Sequence, residues 1–268
     1  VYKRQSLTGL NEFKLNNESD SNYNTVFRWL CDALYLMNIE YDVIPADPAL
    51  FASYENILVP ALYSATDEVL NALNEFVANG GNMVVTFKSA FSDEHLKIRH
   101  DVQPYIINKA LGIQYDEFTL PDDVTVTCGG KSSKARDWME MVDCTTATPV
   151  AIYEHKHWGV HAAITENSYG KGRAMYLATL FGEDTLIEAL KLFFGEPKNE
   201  FDASYPVVIK RGTNMQGEKI IYLLNYSDDE QTVTCYADGL MKLCDDSTVS
   251  AGDCITLAPW DFSILYAD

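Results

Sequence analysis

The residues after the apolar run Met83-Val84-Val85-Thr86-Phe87 are Lys88-Ser89-Ala90-Phe91-Ser92-Asp93-Glu94. If the run is a strand of an open α/β sheet, its carboxyl end is where such folds place chemistry. Ser89 is the side chain a nucleophilic mechanism would use there. A nucleophile elbow needs glycines on both sides of its Ser or Cys, because the turn is sharp and strained. Ser89 lies between Lys88 and Ala90, so it reads as a structural loop residue. Asp93 and Glu94 offer paired carboxylates. Glycoside hydrolysis needs two carboxyl groups ~5 Å apart for retention or ~6.5–9.5 Å for inversion. Adjacent residues seldom converge that way. The pair therefore reads as capping or loop-anchoring, with Lys97 or Arg99 as partners.

Three further constellations weigh less. Tyr169-Gly170-Lys171-Gly172-Arg173 has the glycines and cations of a phosphate loop, but it precedes a strand pattern. A dinucleotide or P-loop follows a strand and opens a helix, so a hairpin turn is expected. His157 and His161 are four apart but flank Trp158-Gly159-Val160, which reads as strand. That spacing aligns two ligands only on a helix, and no zinc site is expected. Trp138, Trp158 and Trp260 are candidates to line a carbohydrate site. Core packing is the expectation for each.

Composition bounds what these residues can serve. The chain has 268 residues, 20 Lys plus Arg against 39 Asp plus Glu, a net charge of −19, and 47% apolar residues. It buries enough surface to fold. The charge argues against nucleic acid, whose phosphates need clustered cations, and against anionic lipid. No apolar run approaches the ~18 residues of a membrane span. Cys31, Cys128, Cys144, Cys235, Cys244 and Cys254 form no C-x-x-C pair, so six reduced thiols and a cytoplasmic location are expected. Val1-Tyr2-Lys3-Arg4-Gln5 has neither a Met nor a hydrophobic leader segment. It reads as a scar, a cut from a longer chain, or a strand entering the domain.

The elements that would position these residues follow from periodicity. Val26, Trp29, Leu30, Ala33, Leu34 and Met37 mark one face of a helix, capped by Asn22 or Asn24. A short strand is expected at 41–44, stopped by Pro45. Asn56 to Pro60 has the texture of a central parallel strand. A helix opening at Thr66-Asp67-Glu68 and closing at Asn79-Gly80-Gly81 leads to the strand at 83–87, a βαβ unit. A helix is expected at 104–112, strands with loops over 119–148, a strand pair at 149–153 and 159–165, a strand at 174–180 and a helix over 186–194. Beyond about residue 200 only short alternating strands appear, at 205–210, 219–225, 231–236, 240–243, 254–257 and 262–266. Turns such as Asp238-Gly239 separate them, the pattern of a small antiparallel sandwich.

Three segments in this order resemble the C-terminal half of the family-42 glycoside hydrolases, the bacterial β-galactosidases. They are YENILVPALYSATDEVLNALNEFVANGGNMVVTFKSAFSDE (54–94), NSYGKGRAMYLAT (167–179), and IIYLLNYSDDEQTVT with ITLAPWDFSILYAD (220–234 and 255–268). The resemblance implies a linker or scar at 1–22. It implies a flavodoxin-like, class I glutamine-amidotransferase-like parallel α/β trimerisation domain at 23–199 and a small all-β domain at 200–268. In the family both catalytic glutamates lie on a preceding (β/α)8 barrel, and no residue here matches them. The implied role is a non-catalytic, cofactor-free homotrimeric scaffold of an enzyme that hydrolyses terminal β-galactosides, which meets substrate only through that barrel. Lys88, Ser89, Phe91, Asp93, Glu94 and Arg99 are the candidate interface and loop residues. Two alternatives stay open. One is a stand-alone amidotransferase-like enzyme with Cys128 or Cys144 as nucleophile; the other is a carbohydrate-binding module.

Overall fold

The computed structural model describes residues 21–237, 241–243 and 247–267. The expected loop before residue 21, the Asp238-Gly239 turn, residue 240 of the expected strand and Cys244 lie outside the described residues. The chain divides into two compact units. The larger holds the described residues through Cys31 and Val43–Phe193; the smaller holds Asp32–Asp42 and the described residues from Phe194 onward.

The first helix, α1 (Tyr23–Leu36), opens at Asn22, whose Oδ1 accepts the Asn24 N–H at 2.9 Å. In the larger unit Val26, Trp29 and Leu30 are buried, and Trp29 meets Phe181 edge-on at 5.0 Å. Strand β1 (Asn56–Val59) feeds α2 (Asp67–Ala78), which returns the chain to β2 (Asn82–Thr86). Thr66 Oγ1 accepts the Val69 N–H, and Asp67 and Glu68 sit at the positive end of α2. Val69, Leu70, Leu73, Phe76 and Val77 are buried, each stabilising the fold by roughly 1.5–3 kcal/mol. Gly81 is required where the helix turns into the strand, because a Cβ there would run into the Phe76 ring.

The longer strands that follow are β3 (Thr125–Cys128), β4 (Lys131–Lys134), β5 (Arg136–Glu140), β6 (Thr148–Glu154), β7 (Ala162–Tyr169) and β8 (Gly172–Leu177). Seven strands form one sheet in the order β1-β2-β8-β7-β6-β3-β4. The expected parallel sheet is corrected to a mixed one. Only β1 with β2 and β2 with β8 run parallel, while β8–β7, β7–β6, β6–β3 and β3–β4 are antiparallel. The reason is local: β7 and β8 are joined by the Gly170 hairpin at φ +61, and a two-residue turn can only reverse the chain.

Other expectations are corrected as well. Strand β1 lies at the sheet edge rather than the centre. Residues 41–44 form no strand; Tyr41 and Val43 are exposed and no ladder holds them. The helix expected at 104–112 is the single turn α3 (Asn108–Leu111), ended by Gly112 at φ +64. Trp158-Gly159-Val160 is a turn, and β7 begins only at Ala162. The last helix, α4, spans Glu183–Phe194.

The smaller unit is all-β beyond its entering segment. Strands β9 (Val207–Thr213), β10 (Lys219–Asn225) and β13 (Phe262–Ala267) form one antiparallel sheet with Met241–Leu243 and Thr248–Val249. Strands β11 (Gln231–Cys235) and β12 (Cys254–Leu257) form a second with Phe201–Asp202. Phe201, Ile209, Ile221, Leu223, Val233, Leu257 and Leu265 form a common buried cluster. Alternation along each strand supplies it. Asn38 fastens the entering segment: its Nδ2 donates to Ala203 O (3.0 Å) and Val207 O (3.2 Å), and its Oδ1 accepts the Ile209 N–H (2.9 Å).

Candidate functional site

The loop after β2 is built inward. Lys88 and Ala90 both adopt positive φ, 57° and 60°, and both are fully buried. A left-handed backbone costs a residue with a Cβ about 1–2 kcal/mol, so surrounding bonds must hold it. The Lys88 N–H donates to Glu140 Oε1 at 2.8 Å, and Lys88 Nζ stands 3.9 Å from the Trp138 ring centroid. Ser89 Oγ accepts the Leu62 N–H at 3.1 Å, and the Ala90 N–H donates to Leu62 O at 2.8 Å. Phe91 stacks on Tyr63 at 5.5 Å and meets Phe118 at 5.8 Å.

Glu140, which sequence reasoning missed, is the centre of this arrangement. It is fully buried on β5. Trp138 Nε1 donates to its Oε1 at 3.1 Å, and Tyr176 Oη donates to its Oε2 at 2.6 Å. Tyr153 Oη donates to its main-chain oxygen at 3.0 Å. Burial raises the Glu140 carboxyl above its usual range, and the bonds from Tyr176, Lys88 and Trp138 hold it partly back. Burial pushes the Lys88 amine down to about 7, with the Glu140 charge pulling the other way. The signal available in the sequence is Glu140 itself, a carboxylate inside the apolar stretch Trp138-Met139-Glu140-Met141-Val142.

The rest of the loop turns outward. Burial works against the Asp93 charge, but the N–H groups of Lys97 and His95, each 2.9 Å from Oδ1, hold the carboxyl below its usual value. Asp93 thus caps its own turn through the Lys97 main chain, not the Lys97 amine. Glu94 lies 3.8 Å from His95. Arg99 does not pair with Asp93 or Glu94. Its Nη1 meets Asp67 Oδ1 at 2.6 Å, its Nη2 donates to Ala65 O, and it stacks over Tyr105. Lys88, Ser89 and Phe91 are therefore interior, whereas Asp93, Glu94 and Arg99 border solvent.

Bridges Ser92–Ile98 and Gln103–Tyr115 tie this loop to the following segment. Ile98, Val102, Phe118 and Leu120 are exposed in these segments. A cleft of about 310 Å3 is lined by Asp116, Glu117, Phe118, Thr119, Met141 and Trp158.

The nucleophile candidates do not fit their roles. Ser89 has no exposed surface. Burial pushes the Cys128 thiol up, with Glu188 adding to it, and burial together with Asp143 does the same to Cys144. A reactive cysteine needs the opposite shift. Among the described residues no group of three or more His, Cys, Asp or Glu is placed to hold a metal, and Cys128, Cys144, Cys235 and Cys254 form no disulfide.

The chain is thus a mixed α/β unit followed by a small all-β unit, with the loop after β2 closed on a buried carboxylate. Residues 1–200 match the family model described as the β-galactosidase trimerisation domain, and the chain belongs to that family. Similar curated proteins include β-galactosidase BbgII of Bifidobacterium bifidum, 30% identical over 179 residues, covering 63% of this chain and 25% of that protein. Another is β-galactosidase BgaA of Planococcus sp., 25% identical over 229 residues, covering 82% and 34%. The chain spans about a third or less of the curated relatives it matches. Its fold is shared with the β-galactosidase of Bacillus circulans sp. alkalophilus, with a TM-score of 0.82, 21% identity and coverage of 94% of this chain and 38% of that one. The Rahnella sp. R3 enzyme gives a TM-score of 0.81, 24% identity and the same coverage.

Proposed function

We propose that this chain is a homotrimeric, non-catalytic scaffold, with residues 23–199 as the flavodoxin-like trimerisation domain and 200–268 as a small companion domain. The observation that carries the reading is the family match over residues 1–200, whose described role is trimerisation. Its service is to an enzyme that removes terminal β-galactosyl groups, the activity for which its longer relatives are named. The free thiols agree with a cytoplasmic setting, and no described helix is long and apolar enough to cross a membrane. The exposed apolar side chains Ile98, Val102, Phe118 and Leu120 are the contacts offered to the second copy, because exposed apolar surface favours association. The interior residues Lys88, Ser89 and Phe91 act as their foundation.

Light scattering of the wild-type chain and of an Ile98→Asp/Val102→Asp double variant tests this. Wild type should give three times the 30.1 kDa chain mass, and the variant one chain mass. A variant that stays trimeric removes these contacts; a monomeric wild type removes the scaffold reading. Neither form should hydrolyse a nitrophenyl β-galactoside. An amidotransferase-like enzyme is disfavoured by the burial of Ser89 and the raised thiols of Cys128 and Cys144.

A further inference from the structure

Of the three tryptophans weighed for sugar stacking, the fold buries Trp138, half-buries Trp158 and leaves Trp260 62% exposed. Trp260 also stands at φ +56, in the left-handed region. For a bulky side chain that is an outlier, and such strain persists only where its surroundings over-determine it.

Those surroundings are bonds within the two turns at 225–229 and 258–261. Trp260 Nε1 donates to Asp228 Oδ1 at 2.7 Å, which fixes the ring plane. The Trp260 N–H donates to Ser227 O at 3.1 Å. Beneath, Asn225 is 2% exposed and ties the two turns together. Its Nδ2 donates to Asp229 O (2.8 Å) and Ala258 O (2.9 Å), its Oδ1 accepts from Ser227 N and Oγ, and its N–H donates to Asp261 O (2.9 Å). The indole N–H is thus spent on an internal bond while the ring stays in water. Among the described residues no other ring or cation stacks on it.

We propose that the Trp260–Asp228 end of the smaller unit is a binding platform for neutral saccharides. A pyranose presents a C–H face that suits a fixed, exposed ring, and hydroxyls at its rim that suit carboxylate oxygens. No described hydrogen bond reaches Asp228 Oδ2, and Asp229, Glu230 and Asp261 surround the turns. Tyr226 and Phe262, near the two turns in the sequence, are exposed as well. The same carboxylates repel phosphates and acidic sugars, which restricts the ligand to uncharged rings.

The test uses the full chain labelled with 5-fluorotryptophan, whose four resonances are read by fluorine NMR, with Trp260 assigned through Trp260→Phe. Lactose, cellobiose and maltose are titrated, with glycerol and glucuronic acid as controls. The proposal expects the Trp260 resonance alone to move, saturably, with at least one disaccharide and with neither control. Trp260→Ala should weaken binding about three- to tenfold or more, read by calorimetry, and Asp228→Asn should weaken it less. A Trp260 resonance that no disaccharide moves overturns the proposal, as does an equal response to glycerol. So does Trp260→Ala changing the oligomeric mass while leaving saccharide binding untouched.

Discussion

Among the residues this protein holds at positive φ, the loop after β2 and the Trp260 turn use the strain in opposite ways. At the end of β2, Lys88 and Ala90 are fully buried, and the bent loop is locked to Glu140 and Leu62. In the smaller unit, Trp260 bends the same way but its ring is left in solvent. Each bend is held by one buried polar residue, Glu140 in the larger unit and Asn225 in the smaller. Strained backbone alone therefore does not mark a binding site. What distinguishes the two is where the side chain ends, and only Trp260 ends where a ligand can reach it.

The largest expected effect breaks the first lock. Glu140→Ala orphans the Lys88 N–H, the Trp138 Nε1–H and the Tyr176 hydroxyl and strands the Lys88 amine without its nearby charge. It should cost about 3–5 kcal/mol, seen as a large fall in the urea midpoint. Breaking the second lock should cost less. Asn225→Ala removes neutral bonds only and should cost roughly 2–3 kcal/mol, with the loss confined to amides of the smaller unit in hydrogen exchange.

How much of this was legible beforehand differs between the two locks. The helices at 23–36 and 67–78 announce themselves, because five or six apolar side chains recur at helical spacing. The sandwich strands do so by alternation. The pairing direction within the larger sheet was not legible past β2, since a strand pattern carries no sign for parallel or antiparallel. The bond between Lys88 and Glu140 joins residues 52 positions apart, and nothing in the spacing of either predicts it. Asn225 looks like any strand-end asparagine until Ser227, Asp229, Leu257 and Ala258 meet its side chain from two turns. Asp93 anchors its own turn through main-chain N–H groups, while Glu94 only approaches His95. The Lys97 and His95 main chain lay nearer than any cation, and Arg99 found Asp67 on α2.

Acidity provides a finer comparison. The Lys88 amine is pushed down to about 7 in the folded chain, so the unfolded chain binds its proton more tightly between that value and the ordinary lysine range. Stability should therefore rise above about pH 7, by roughly 1–2 kcal/mol up to about pH 8.5, whereas the raised Glu140 carboxyl makes it fall with rising pH from the ordinary carboxylate range upward. Beyond that the raised thiols of Cys128 and Cys144 work in the opposite sense, because the unfolded chain loses their protons first. Urea midpoints at pH 6, 7 and 8.5 read the slope, and Lys88→Met should flatten it. The Trp260 turn offers a different comparison. There the smallest effect separates backbone from ring: Trp260→Gly should be more stable than Trp260→Ala by about 1 kcal/mol, because only glycine relieves the left-handed bend. Equal stabilities would mean that the bend costs nothing.

The central claim is that the chain assembles with itself. Sedimentation equilibrium of the full chain across a wide concentration range tests it most directly. The account predicts a single species of three times 30.1 kDa at micromolar concentration. A mass of one chain at every concentration would contradict it.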